Sequence, residues 1–151
     1  MVGEKVENFR LKDQDGNFFD LYENLDKNIL IIFYPKDNSR VCSEQLKNYH
    51  LQENLFLKRN IKVVGINIED VESHRKFCDK INISIPLLFD EKKKISHRFK
   101  ALNLLGFNKR KMVLIDTNGK IVLEQDIQYL NFPLTEDILS KIGKLKILQK
   151  T

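Results

Sequence analysis

Apolar and polar positions along the chain follow two alternating periods. Ile29 to Tyr34 is an unbroken run of strand-forming apolar residues, the pattern of a strand buried on both faces, and Pro35 ends it. Ile61 to Ile68 is a second, β-branched run of the same kind. Between them, from about Cys42 to Arg59, Leu46, Tyr49, Leu51, Leu55 and Phe56 recur mostly at three- and four-residue intervals, which predicts one long amphipathic helix. A further helical stretch places Val71, His74, Phe77, Cys78 and Ile81 on one side, with Asp70 and Glu72 at its start as capping residues.

The ends of the chain carry hairpin signals. Asp15-Gly16 lies between two short semi-apolar runs, and Asn118-Gly119 separates Met112–Ile115 from Ile121–Leu123. Pro86 opens a short run through Phe89, a short helix is expected over Ile95–Phe99, and Thr135 opens a C-terminal helix. Parallel crossovers followed by an antiparallel pair predict a three-layer α/β/α domain with a central mixed sheet, the N-terminal β-hairpin lying beside it. With no repeat, linker or low-complexity tract, residues 1–151 are expected to form a single domain. Periodicity leaves thioredoxin-like and flavodoxin-like arrangements both open, but no glycine-rich phosphate loop follows the first buried strand, which weighs against nucleotide binding.

Composition narrows the function classes. In 151 residues, 42% apolar content supports a packed core, and 26 basic against 21 acidic residues leave a net charge of +5. The charges are interspersed. The densest basic run, Lys92 to Lys94, reads as a solvated turn or helix start, so no nucleic-acid partner is expected. Glu4, Glu7 and Asp13 interrupt the apolar stretch a signal peptide would need, and no run approaches the ~18 apolar residues of a membrane span. A cytoplasmic protein without membrane attachment is expected. His50, His74 and His97 are scattered without metal-binding spacing, so no metal is expected; His74, one turn from Cys78, reads either as an aid to its ionisation or as a satisfied surface histidine and is left out of the catalytic set. The two cysteines, Cys42 and Cys78, are too few for a disulfide framework and too far apart for paired zinc-ligand spacing, leaving thiol chemistry or simple burial.

Cys42 sits just past a buried strand, at the expected start of a helix. Unpaired backbone N–H groups and the positive helix end favour a thiolate there, and Arg40 adds to the local positive potential. In the same stretch Pro35, Ser39 and Cys42 reproduce the Pro-x-x-x-Thr/Ser-x-x-Cys signature of the peroxiredoxins. FYPKD before it, Gln45 after it, VVGINIEDVESHRKF at 63–77, PLLFD at 86–90 and RKMVLIDTNGKI at 110–121 resemble the bacterioferritin comigratory protein, or peroxiredoxin Q, subfamily over nearly the whole chain.

The resemblance implies a thioredoxin-like fold and a thiol-dependent peroxidase, active on hydrogen peroxide and organic hydroperoxides without a cofactor. It implies that Cys42 is the peroxidatic nucleophile, that Pro35 shields its thiolate, that Ser39 orients the peroxide and that Arg110 stabilises the departing oxygen. Three departures from the subfamily stand out: Arg40-Val41 replaces the usual Pro-Gly, Glu7 replaces a common proline, and Lys47 replaces the second cysteine of many members. Cys78 is then the candidate resolving cysteine, condensing with the Cys42 sulfenic acid to give an intramolecular disulfide that thioredoxin or a similar dithiol reopens. A monomer is implied by default. The alternatives are a one-cysteine peroxidase that does not use Cys78, and a catalytically silent thioredoxin-fold binding module. A Cys-x-x-Cys exchanger is disfavoured because Gln45 stands where its second thiol would be.

Overall fold

A computed structural model describes residues 1–127 and 132–150, with side chains up to Leu145. Its centre is the first buried run, β3 (Asn28–Phe33), which pairs in parallel with β4 (Ile61–Asn67) on one side and antiparallel with β6 (Lys111–Ile115) on the other. The sheet continues through β5 (Leu87–Phe89), parallel to β4, and through β7 (Ile121–Asp126), antiparallel to β6. The N-terminal hairpin, β1 (Arg10–Lys12) and β2 (Phe18–Asp20), does not lie beside this sheet but extends it: β1 pairs with β5, giving the order β2-β1-β5-β4-β3-β6-β7.

Alternation along β3 divides the core in two. Leu30, Ile32 and Tyr34 face one layer, together with Cys42, Leu46, Tyr49, Phe77 and Cys78. Ile29, Ile31 and Phe33 face the other, with Phe9, Phe19, Ile95 and Phe99. The first layer consists of α1 (Arg40–Leu51), α2 (Glu53–Leu57), α3 (Val71–Ile81) and α5 (Thr135–Lys150); the second is thinner, made of the N-terminal segment and the short α4 (Lys94–Arg98). This is the expected three-layer α/β/α arrangement around a mixed sheet.

The helix expected over 42–59 differs in detail. It starts at Arg40 and breaks at Gln52, where φ −104° and ψ 16° leave helical geometry. A straight helix of about 18 residues would span about 27 Å, overshooting a six-residue strand of about 20 Å. The break turns Phe56 back into the core and lets Ile61 pair beside Asn28, while Leu51 and Leu55 are left exposed rather than in the core stripe.

Gly65 in β4 is required by close approach. A Cβ there would lie 2.8 Å from Leu87 Cδ2 and 3.0 Å from Tyr34 Cε1, so the missing side chain is the space that the Tyr34 ring occupies.

Candidate active site

The register of the sheet assembles the site. Phe33, the last residue of β3, pairs with Lys111, the first of β6, so the residues following one strand meet the residue preceding the other. Arg110 is thereby brought beside the loop Pro35–Asn38 and the start of α1, although it is 68 positions from Cys42.

Ser39 is the N-cap of α1 and its Oγ accepts a hydrogen bond from the Cys42 backbone N–H at 3.2 Å. That bond uses a lone pair and leaves the hydroxyl proton to be donated. Cys42 is fully buried, and Arg110 Nη2 lies 3.1 Å from its Sγ. Arg110 is itself only 2% exposed; its Nη1 donates to Gln45 Oε1 at 2.6 Å, and Gln45 Nε2 donates to the Tyr49 hydroxyl at 3.3 Å. Tyr49 in turn donates to the Pro133 carbonyl at 2.7 Å. Burial raises the Tyr49 phenol above its ordinary range, so it stays a neutral donor. A half-buried Pro35 and Arg110 line a cleft of about 330 Å³ with Lys36, Phe107, Lys109 and Ile127. A larger cleft, about 810 Å³, lies between the N-terminal hairpin and α4; neither cleft is lined by a cysteine, and Arg110 is what connects the smaller one to Cys42.

This arrangement can hold a sulfur anion and receive developing negative charge on an adjacent oxygen, because a buried guanidinium faces the sulfur at the capped start of a helix. Pro35, Ser39, Cys42 and Arg110 are brought together. Arg40 is not part of the group: its side chain is 91% exposed and pairs with Glu44 at 3.3 Å.

Cys78 packs in the same core layer as Cys42, and both thiols are free. Burial pushes the Cys78 thiol up to about 12, helped by the negative charges of Asp37, Asp79 and Asp15.

Sequence reasoning missed a second buried cluster centred on Asp37, which is 2% exposed. Its Oδ1 accepts from the Tyr34 hydroxyl at 2.6 Å and Asn67 Nδ2 at 3.2 Å; its Oδ2 meets Ser73 Oγ at 2.7 Å and His74 Nδ1 at 2.7 Å. His74 is fully buried in α3, not on the surface, and its Nε2 lies 3.2 Å from the Leu88 carbonyl oxygen. Burial raises the Asp37 carboxyl, but the hydrogen bond and charge of His74, with the hydrogen bonds of Tyr34 and Ser73, hold it below its ordinary value. The only signal in the sequence was a carboxylate two residues past Pro35, in a loop closing a fully buried strand.

A profile of the AhpC/TSA family matches residues 2–124. The chain belongs to that family. A peroxiredoxin bcp of Helicobacter pylori is 38% identical over 100 residues, which are 66% of this chain and 66% of that protein. The peroxiredoxin Bcp of Bacillus subtilis is 28% identical over 130 residues, covering 82% of this AhpC/TSA chain and 83% of its relative. Among solved structures, the reduced 2-Cys peroxiredoxin of Plasmodium vivax superposes with a TM-score of 0.89 at 25% identity, covering 99% of both chains. The thioredoxin-like fold expected from the resemblance is thus the fold of this family member.

Among the described residues, no cluster of His, Cys, Asp and Glu is placed to hold a metal ion, and no helix is long and apolar enough to cross a membrane.

Proposed function

We propose that this chain is a thiol peroxidase in which Cys42 is the nucleophile. The observation that carries the reading is the Arg110 guanidinium 3.1 Å from Cys42 Sγ, at the first turn of a helix capped by Ser39. The Cys42 thiolate attacks one peroxide oxygen and the O–O bond breaks. The departing hydroxide or alkoxide takes a proton, and a sulfenic acid remains on Cys42. Arg110 and the Ser39 hydroxyl stabilise the oxygen that leaves, while Pro35 screens the sulfur from bulk water.

Cys78 is assigned the second step. Held protonated by burial, it is inert toward peroxide in its helix. On reaching the sulfenic acid its sulfur displaces hydroxide, which leaves as water with the thiol proton, and a Cys42–Cys78 disulfide forms. Thioredoxin or a similar dithiol reduces it. Hydrogen peroxide and organic hydroperoxides are the substrates, with the chain acting as a monomer in the reducing cytoplasm. The burial of Cys78 also favours a second reading, a one-cysteine cycle in which an external thiol reduces Cys42 directly.

One equivalent of hydrogen peroxide added to the reduced protein, followed by mass spectrometry, tests the assignment. An intramolecular disulfide is expected in the wild type, a sulfenic acid in Cys78→Ser, and no reaction in Cys42→Ser. Peroxide consumption at the wild-type rate by Cys42→Ser would falsify the nucleophile assignment. A persistent sulfenic acid in the wild type leaves the one-cysteine cycle standing.

A further inference from the structure

The Asp37 cluster takes no part in peroxide attack, yet it touches both segments that a Cys42–Cys78 disulfide must bring together. Asp37 lies in the loop leading into α1, whose first turn carries Cys42. Its carboxylate is fastened to α3 through Ser73 and His74, and His74 stands one turn before Cys78 on the same buried side. The same carboxylate holds the hydroxyl of Tyr34. Asn67 at the end of β4 and Leu88 in β5 complete the anchorage, through Asp37 and His74 respectively. The two His74 ring nitrogens thus lie against oxygens of two different elements, Asp37 Oδ2 before α1 and the Leu88 carbonyl in β5. Asp37 accepts from Tyr34, Asn67 and His74, the single Ser73 hydroxyl proton is shared between it and Glu69 Oε2 at 2.7 Å, and stripping a nearly buried carboxylate of such partners is costly.

A disulfide needs its sulfurs about 2 Å apart with the two Cα atoms within roughly 7 Å. Here both thiols are free, and each belongs to a formed helix. Because the thiols are free, the sulfurs have to move together, and any part of that motion carried by the start of α1 or by α3 strains the bonds to Asp37. We propose that Asp37, Ser73 and His74 form a clamp that fixes both cysteine-bearing segments in the reduced arrangement and so sets the rate at which Cys78 reaches oxidised Cys42. Ser73 and His74 are positioning residues. The clamp sets the partition of the sulfenic acid between two outcomes: condensation with Cys78, releasing water, or reaction with a second peroxide to give a sulfinic acid.

This inference rests on Cys78 acting in the second step. Ser73→Ala removes the hydroxyl shared by Asp37 and Glu69 and is the milder variant; His74→Asn keeps a polar group and removes the ring that spans Asp37 and Leu88; Ser73→Thr keeps the hydroxyl. Rapid-mixing kinetics should give first-oxidation rates within about twofold of wild type for all three. Disulfide formation should be faster by about three- to tenfold in Ser73→Ala and His74→Asn, and unchanged in Ser73→Thr. Sulfinic acid should then appear only at correspondingly higher peroxide. Hydrogen exchange should quicken for α3 amides while β3 amides stay protected. If the wild type forms its disulfide but Ser73→Ala neither accelerates it nor loosens α3, the clamp is a structural contact and the inference is overturned. If the wild type forms no intramolecular disulfide, the role of Cys78 and the clamp fall together.

Discussion

A guanidinium that reaches a sulfur with one nitrogen and an amide oxygen with the other is held by geometry as well as by charge. Arg110 does this through Nη2 to Cys42 Sγ and Nη1 to Gln45 Oε1. A lysine would keep the positive charge and lose the planar fork, so it could not serve both partners in the same pose. Arg110→Lys is expected to lower the rate of Cys42 oxidation by about 10- to 100-fold, measured by rapid-mixing fluorescence or peroxide consumption, with the circular dichroism spectrum retained. A rate within twofold of wild type would show that charge alone suffices and that the fork is incidental. Truncation to alanine is a poorer probe, because it would strand the buried Gln45 oxygen and open a cavity beside Cys42.

Among the elements, β4 and its glycine place the sharpest demand on neighbours. Gly65→Ala pushes a methyl against Tyr34 and Leu87, both fully buried. An overpacking cost of about 1–3 kcal/mol is expected, a fall in melting temperature of roughly 3–10 °C in a chain of this size. An unchanged melting temperature would mean that the Leu87 methyl yields freely. The same strands explain why the fold was legible before the structure. Ile29–Tyr34 and Ile61–Ile68 carry their burial in continuous apolar runs, and Asp15-Gly16 and Asn118-Gly119 turn with positive φ at each glycine. What periodicity could not show was length matching between helix and strand, so the break at Gln52 and the exposure of Leu51 and Leu55 went unseen. In the site, the Ser39–Cys42 spacing was visible because it is local. The Asp37–His74 bond was not, because it depends on which strand ends the sheet brings together across 37 positions.

At the scale of the whole molecule, buried charge makes stability depend on pH. Burial, followed by the nearby charge of Asp37, raises the Glu69 carboxyl above its ordinary value, and Ser73 Oγ stands between the two carboxylates at 2.7 Å from each. A raised carboxyl contributes stability that is full below its unfolded value, about 4.3, and is lost as pH rises through its folded value. At neutral pH ionised Glu69 therefore carries a penalty. Glu69→Gln keeps an acceptor for Ser73 and should raise stability at pH 7 by about 0.5 kcal/mol after discounting for its partial exposure, or roughly 1–2 °C. The gain should vanish in acid, where the wild-type carboxyl is protonated. Thermal melts from pH 3 to 8 check this, and an equal gain at every pH would rule out a titration origin. Asp37 and Glu124 have the opposite sign. The former is held low chiefly by His74 against its own burial, the latter by Lys111 Nζ at 2.6 Å. Their contributions are present above about pH 4 and are lost as pH falls through their lowered values.

The chain of bonds from Arg110 through Gln45 and Tyr49 ends on the carbonyl of Pro133, beyond the stretch recognised by the family profile, which stops at residue 124. A trimmed version cut at that boundary would retain every signature residue yet lose the last prop behind the cation. For anyone shortening, fusing or tethering this protein, Pro133 belongs with the reactive centre rather than with a disposable end.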